Sequence, residues 1–123
     1  MNLSYNQVRD IPVLSSADFP NLEVLNLAYN KVSRSSLQSL YLLNKLRVMD
    51  LTANSLRDVP HDFAKFSVLE ELNLAGNELD SASSTIQNTF KYLGQLPHLK
   101  RLNLSRNRLN GFHSDALNPQ LDF

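Results

Sequence analysis

The chain has 123 residues, a formal net charge of zero and 42% hydrophobic residues, which fits one domain without low-complexity sequence. A neutral chain exerts no strong bulk attraction on nucleic acid or an anionic membrane, so no nucleic-acid partner is expected. No apolar run approaches the roughly 20 residues that span a bilayer, and no basic start leads into an apolar stretch. Membrane insertion is therefore not expected either.

The residue types that carry catalysis are sparse. The sequence has no cysteine, three glycines and three histidines. The glycines form no phosphate-binding loop, and the histidines have neither paired spacing nor an H-E-x-x-H motif. No nucleophile and base stand in a recognisable pair, so no enzyme activity, metal or cofactor is expected. Because small secreted domains tend to use disulfides, the missing cysteine favours an intracellular, cytoplasmic protein.

One line of sequence recurs from the start of the chain to its end. The pattern L-x-x-L-x-L-x-x-N-x-L occurs at residues 22–32, 46–56, 69–79 and 99–109, with a partial copy at 1–8. Periods of this size indicate stacked structural units, none of which can bury its apolar face alone.

The asparagine of the pattern stands at Asn6, Asn30, Asn54, Asn77 and Asn107, so the spacings are 24, 24, 23 and 30 residues. It comes where the chain turns out of a strand, and a buried turn leaves backbone groups that need partners. An amide side chain supplies both donors and acceptors. These asparagines are therefore predicted to form a structural ladder between repeats rather than to serve a ligand.

The L-x-L segment of each repeat alternates as a strand does, so its apolar side chains are predicted to point into the core. The inward set is Leu25, Leu27, Met49, Leu51, Leu72, Leu74, Leu102 and Leu104. Stacking these segments predicts a parallel sheet with one open face.

The segments that return between strands are predicted to differ. Residues 35–44 have serines at their start and leucines on one side, which predicts a helix. Residues 58–66 predict a short, irregular return. The longest repeat predicts a clearer helix, capped by Ser83 or Ser84 and ended by Gly94.

The recurring pattern resembles that of the leucine-rich repeat family, in about five repeats that cover nearly the whole chain. The resemblance implies an α/β solenoid with a parallel β-sheet on the concave face and short helices or irregular turns on the convex face. Residues 1–123 would form a single domain. Extracellular members usually have disulfide-rich caps, and neither end here offers a cap. The chain is therefore expected to be part of a longer protein, its ends continued by missing repeats or covered by a partner.

The resemblance assigns no site, because such repeats serve many unrelated partners. The side chains between the leucines are expected to face solvent and to bind a protein partner. They form an aromatic and aliphatic amino end, an acidic middle and a basic carboxyl end. The candidate partner-binding residues are Tyr5, Val24, Asn26, Tyr29, Val48, Asp50, Glu71, Asn73, Arg101, Asn103 and Arg106. A neighbouring column of small residues, Ser4, Ala28, Thr52, Ala75 and Ser105, is expected to be open as well.

The expected function is that of a scaffold or adaptor, a rigid curved surface that holds a protein partner without chemistry of its own. Two alternatives remain open at this stage. The chain could be a wall element of a large cytoskeletal or ciliary assembly, using its edges and its convex side. It could also be a regulatory or sensing module of a larger enzyme.

Overall fold

Short parallel strands repeat at the L-x-L segments, because each segment can bury its leucines only against its neighbours. The computed structural model describes residues 1–12 and 17–109. Its four strands are β1 (Val24–Asn26), β2 (Val48–Asp50), β3 (Glu71–Asn73) and β4 (Arg101–Asn103). They lie in chain order in one parallel sheet.

The strands align in register, so equivalent positions of each repeat are neighbours across the sheet. Val24 pairs with Val48 and Asn26 with Asp50, and the same alignment continues through β3 to β4. The partial first repeat joins the edge of this sheet. Leu3 donates its backbone N–H to the carbonyl of Asn26 at 2.8 Å. Equivalent residues of successive repeats therefore form continuous columns that run across the strands of the sheet.

The predicted inward positions form the core. All eight leucine and methionine side chains of the L-x-L segments are buried, none more than 9% exposed. They pack with apolar residues of the return segments in one continuous cluster. The prediction of a parallel α/β solenoid is confirmed.

The first return segment is not the single helix predicted for residues 35–44. It forms a four-residue helix, α1 (Arg34–Leu37), followed by a 3₁₀ helix at Leu40–Leu42. Ser33, rather than a later serine, caps α1 and accepts from the backbone N–H of Ser36. The Oγ of Ser36 in turn accepts from the N–H of Ile11 in the preceding repeat. The bonds of Ser36 to Arg9 and Ile11 tie α1 to the preceding repeat, and the residue pattern does not specify such contacts between repeats.

The second return segment is short, as predicted. It is a 3₁₀ helix at His61–Lys65, which places Phe63 in the core. The ring of Phe63 meets that of Phe66 edge-on, with centroids 5.3 Å apart. Both aromatic side chains are buried in the core.

The third return segment forms α2 (Ile86–Gly94), with its apolar side buried. The helix ends at Gly94 as predicted, but the prediction of a capping serine is wrong. Thr85 occupies the cap position, and its side chain makes no capping bond to the helix. Ser83 bonds to Thr85 instead. The buried Thr89 accepts from the N–H of Val59, which joins α2 to the preceding repeat.

Within residues 1–12 and 17–109, no helix is long and apolar enough to cross a membrane. Gly111 and His113, two of the glycines and histidines considered as motif residues, lie outside the described residues. The same holds for the end of the chain at residues 121–123.

Candidate functional site

The repeated asparagine comes four residues after the end of each strand and is buried inside the stack at Asn30, Asn54 and Asn77. Asn54 is 3% exposed, and its amide nitrogen donates to the carbonyls of Leu27, Leu51 and Thr52 at 2.9 to 3.2 Å. Its amide oxygen accepts from the N–H of Val32. The side chain therefore satisfies backbone groups in two consecutive repeats, and its burial gives it a structural role.

Asn30, Asn77 and Asn107 repeat this geometry, each donating to its own repeat and to the one before. Asn6 differs because its amide bonds only the carbonyls of Leu3 and Ser4 in its own repeat. We call these five residues the asparagine ladder. Among the described residues, no buried side-chain nitrogen or oxygen lacks a hydrogen-bond partner.

The central column of the concave face is also anchored to the backbone. Asn26, Asp50, Asn73 and Asn103 each accept, through Oδ1, from the backbone N–H two residues further on, at 2.9 to 3.0 Å. This is the local bond of an Asx turn. Asp50 accepts in addition from Thr52 Oγ1 at 2.6 Å. These residues lie where the repeat pattern predicted, but the pattern gave no sign that each side chain is held in one orientation.

The column of small residues beside them is mostly closed, contrary to expectation. Ala28, Thr52 and Ala75 are 5%, 6% and 2% exposed. They are small because the chain bends inward there towards the asparagine ladder. The open part of the concave face is therefore narrower than the pattern predicted.

The outermost column, which precedes each asparagine, has a left-handed backbone. The φ angles are +58° at Tyr5, +58° at Tyr29, +56° at Ala53, +66° at Gly76 and +55° at Arg106. Four of these five residues are not glycine, and the left-handed conformation costs each of the four roughly 1–2 kcal/mol. The first four backbone N–H groups donate to a carbonyl of the next repeat at 2.8 to 3.0 Å, which holds the turn in place. We call these five residues the left-handed column.

Two rings stack at the amino end of the left-handed column. Tyr5 and Tyr29 have ring centroids 4.4 Å apart and planes inclined by only 7°. Tyr5 is 74% exposed and Tyr29 is 40% exposed. Val24 of the adjacent column is exposed as well. The predicted aromatic and aliphatic patch is thus one ordered, solvent-facing surface.

The predicted acidic and basic zones largely pair with each other. Arg101 Nη1 lies 3.0 Å from Glu71 Oε1, and Lys100 Nζ lies 2.9 Å from Glu70 Oε1. The hydrogen bond from Lys100 holds the pKa of Glu70 below its usual value. Arg47 approaches Glu70 from the other side, at 3.5 Å. The charge gradient inferred from the sequence is therefore mostly internal neutralisation.

Two charged concave residues remain without an ion pair in the part of the chain that the structure describes. Arg106 is exposed, and Asp50 is half-buried. An open hollow of about 890 Å³ lies along the concave side of β2 to β4. Six candidate residues line it: Val48, Asp50, Glu71, Asn73, Arg101 and Asn103. The remaining candidates, Tyr5, Val24, Asn26, Tyr29 and Arg106, lie outside this lining.

The convex side has a second ordered cluster that sequence reasoning missed. Lys65 Nζ lies 3.0 Å from Asp62 Oδ1 and 5.0 Å from the ring centroid of Tyr41. The bond to Asp62 raises the pKa of Lys65. His61 meets the ring of Tyr92 edge-on at 6.3 Å. The five residues come from three return segments, so only the fold brings them together.

Among the described residues, no group of three His, Cys, Asp or Glu side chains is placed to hold a metal ion. The fold and its surfaces define a repeat solenoid with a fixed, partly polar sheet face. Family models described as leucine rich repeat match residues 1–56, 68–93 and 98–119. The chain belongs to the leucine-rich repeat family, as its sequence pattern predicted.

The proteins that this chain resembles have widely different names. The chain is 29% identical to mouse (Mus musculus) X-ray radiation resistance-associated protein 1 over 89% of its own length, and 31% identical to mouse CD180 antigen over 78%. It is 33% identical to the 187-kDa microtubule-associated protein AIR9 of Arabidopsis thaliana over 83%. The chain spans 15% of the length of each mouse protein and 5% of the plant protein.

Proposed function

We propose that this segment is a protein-binding scaffold or adaptor whose concave face holds a partner without chemistry of its own. The observation that carries the proposal is the difference between neighbouring columns of one face. The asparagine ladder and the column of small residues are mostly buried, and the asparagine amides form hydrogen bonds within the chain. The left-handed column, in contrast, has exposed tyrosine and arginine side chains.

The concave face has the rigidity that such a role requires. The central column is fixed by Asx turns, and the first four turns of the left-handed column are bonded to the next repeat. A surface that is ordered before binding loses little conformational entropy when a partner docks. This supports recognition by shape and side-chain pattern.

The residue types on this face fit a protein partner. Tyrosine and arginine are enriched among the residues that dominate binding energy at protein interfaces. Tyr5 and Tyr29 stand at one end of the left-handed column and Arg106 at the other. Neighbouring strands lie about 4.8 Å apart, so this column extends over about 19 Å. A partner segment of about six extended residues would cover that length.

A second candidate role uses the convex side. The cluster of Tyr41, Asp62 and Lys65 is an ordered surface that joins two return segments. It supports the alternative of a wall element in a larger assembly, for which the resemblance to a microtubule-associated protein is a further reason. The concave role is favoured because Asp62 and Lys65 of this cluster pair with each other, whereas the exposed Arg106 of the concave face has no ion pair among the described residues.

Affinity capture with crosslinking mass spectrometry tests the choice between the two faces. The concave variant combines Tyr29→Gly with Arg106→Glu. A matched convex variant combines Gln87→Glu with Lys91→Glu on the exposed side of α2. We expect crosslinks from the unaltered chain at Lys31, Lys45 or Lys100, and loss of the partner with the concave variant alone.

The opposite result would also decide between the two faces. A partner retained by the concave variant and lost with the convex variant, with crosslinks at Lys65 or Lys91, contradicts the scaffold proposal and supports the wall element. Circular dichroism of both variants excludes loss of folding as the cause.

We also propose an intracellular location, for which the cysteine-free composition is the support. The concave face carries an N-x-S motif at Asn103 and Ser105, both exposed. Passage through the secretory pathway would allow a glycan there. Mass spectrometry of the protein from its own cells should find Asn103 unmodified, and an occupied Asn103 would contradict the location.

A further inference from the structure

We propose that the Tyr5–Tyr29 stack is a receptor for an arginine side chain, presented by an extended segment of the protein partner. The inference rests on the proposed function and specifies the chemistry of the partner at one end of the concave face. It is carried by the backbone of these tyrosines, by their ring geometry and by the charges around them.

The backbone shows that the rings are not there to satisfy the fold. Bulky residues are rare in the left-handed region, where a Cβ atom is unfavourable. The equivalent turns in the third and fourth repeats hold Ala53 and Gly76 with the same conformation. Both turns close with the same kind of backbone bond as those of Tyr5 and Tyr29. The fold therefore accepts a small side chain here, and two strained tyrosines in consecutive repeats point to binding.

The ring geometry offers an electron-rich face to solvent. Aromatic faces carry negative charge density, and a near-parallel stack directs its outer faces away from the pair. A cation over such a face is attracted to it, and arginine does this more often than lysine. The described part of the chain already contains such a contact, since Lys65 lies over the ring of Tyr41. Among the described residues, no cation lies in this way over Tyr5 or Tyr29.

The charges of the concave face favour a cation from outside the chain. Asp50 lies in the repeat after that of Tyr29, where it pairs across the sheet with Asn26, three positions before Tyr29. Its Oδ1 accepts from Thr52, and no cation of the described part of the chain pairs with it. The planar guanidinium of arginine can stack on a ring and bond a carboxylate with the same group. A partner arginine would thus find a ring and a negative charge on one surface.

Nuclear magnetic resonance of the 123-residue chain, labelled on its tyrosine rings, tests this directly. The probe is the capped pentapeptide acetyl-Gly-Pro-Arg-Pro-Gly-amide. Matched peptides carry lysine, citrulline, leucine or glutamate in place of the arginine. Citrulline keeps the shape of arginine but has no charge. The chain has four tyrosines, and the rings of Tyr41 and Tyr92 on the convex side serve as internal references.

We expect the arginine peptide to shift the ring signals of Tyr5 and Tyr29 and to leave the reference rings unchanged. It should bind about three- to fivefold more tightly than the citrulline peptide, the range that an exposed cation–π contact supplies. Tyr29→Gly should abolish the shift at Tyr5 while leaving the chain folded, because glycine already stands at the equivalent Gly76.

Three results would overturn the inference. Equal binding of the citrulline or leucine peptide would show a merely apolar surface. Tighter binding of the glutamate peptide would show an anion site. Absence of any selective shift at Tyr5 and Tyr29, up to the solubility limit of the arginine peptide, would show no site at all.

Failure of this inference can be told apart from failure of the proposed function. If partner capture is lost with the concave variant but no arginine peptide shifts the rings, the scaffold role stands and the arginine is wrong. If the partner is retained by the concave variant, the scaffold role fails whatever the rings do.

Discussion

Tyr29 and Asn30 are adjacent in sequence, yet they belong to two regions of the molecule with opposite properties. Asn30 is 5% exposed and bonds to its own repeat and the one before. Tyr29 is 40% exposed, has a left-handed backbone and stacks its ring on another exposed ring. The residue type is fixed by the fold in the asparagine ladder and is free to vary in the left-handed column. Function should therefore be sought in the second region and stability in the first.

Removing an asparagine from inside the stack should have the largest effect. Asn54→Ala removes three hydrogen bonds that the amide donates to buried carbonyls and one that it accepts. Leaving such groups unsatisfied should lower the free energy of unfolding by about 3–5 kcal/mol. Urea denaturation followed by circular dichroism measures the change.

The matched control is the asparagine at the edge of the stack. Asn6 is exposed and bonds only within its own repeat, so Asn6→Ala should cost about 1 kcal/mol or less. Equal losses for the two variants would mean that the bonds between repeats contribute nothing to the ladder.

A backbone substitution in the left-handed column should have a smaller effect. At Gly76, an added Cβ atom meets nothing closer than 3.8 Å, so Gly76→Ala introduces backbone strain without a clash. We expect the free energy of unfolding to fall by about 1 kcal/mol. At Gly94, the last residue of α2, φ is not positive, and Gly94→Ala should be neutral or stabilising. Changes of the same sign at both positions would contradict the role given to the left-handed backbone.

The smallest effect on stability is expected from the ion pair between Lys100 and Glu70, the residue that precedes β3. The pKa of Glu70 is lowered because Lys100 bonds its charged form. Its contribution to stability is therefore present above the unfolded pKa, near 4.5, and is lost as the pH falls through the folded value. The difference in urea midpoint between the wild type and Glu70→Gln should be visible at pH 7 and vanish at acidic pH, once Glu70 is protonated in the folded chain. A difference that persists there would show that the charge is not its cause.

The repeat spacing alone predicted most of the fold. Because a leucine that recurs with the asparagine can be buried only by its neighbours in the stack, Leu27 and Asn54 could be placed inside the stack from the repeat pattern. The capping of α2 could not be placed, because Ser83 and Thr85 are equally suited by residue type and bond to each other rather than to the helix. The bond between Ser36 and Ile11 could not be placed either, because a residue pattern does not specify contacts between repeats.

The candidate face was predicted less completely than the fold. The columns were placed correctly, but their exposure and pairing were not. Ala28 reads as a surface residue until the bend of the chain buries it. Arg101 reads as a free cation until the register places it 3.0 Å from Glu71. The left-handed backbone of Tyr5 and Tyr29 has no signal in their residue type, although Gly76 at the equivalent position could have suggested it.

We propose that separate residues stabilise the scaffold and bind the partner. Tyr5→Gly combined with Tyr29→Gly tests it most directly, with urea unfolding and partner capture measured on the same preparation. Relief of backbone strain offsets the lost ring stack, so the free energy of unfolding should stay within about 1 kcal/mol of the wild type. The partner should be lost. Retention of the partner, or a loss of stability as large as that of Asn54→Ala, would contradict the account.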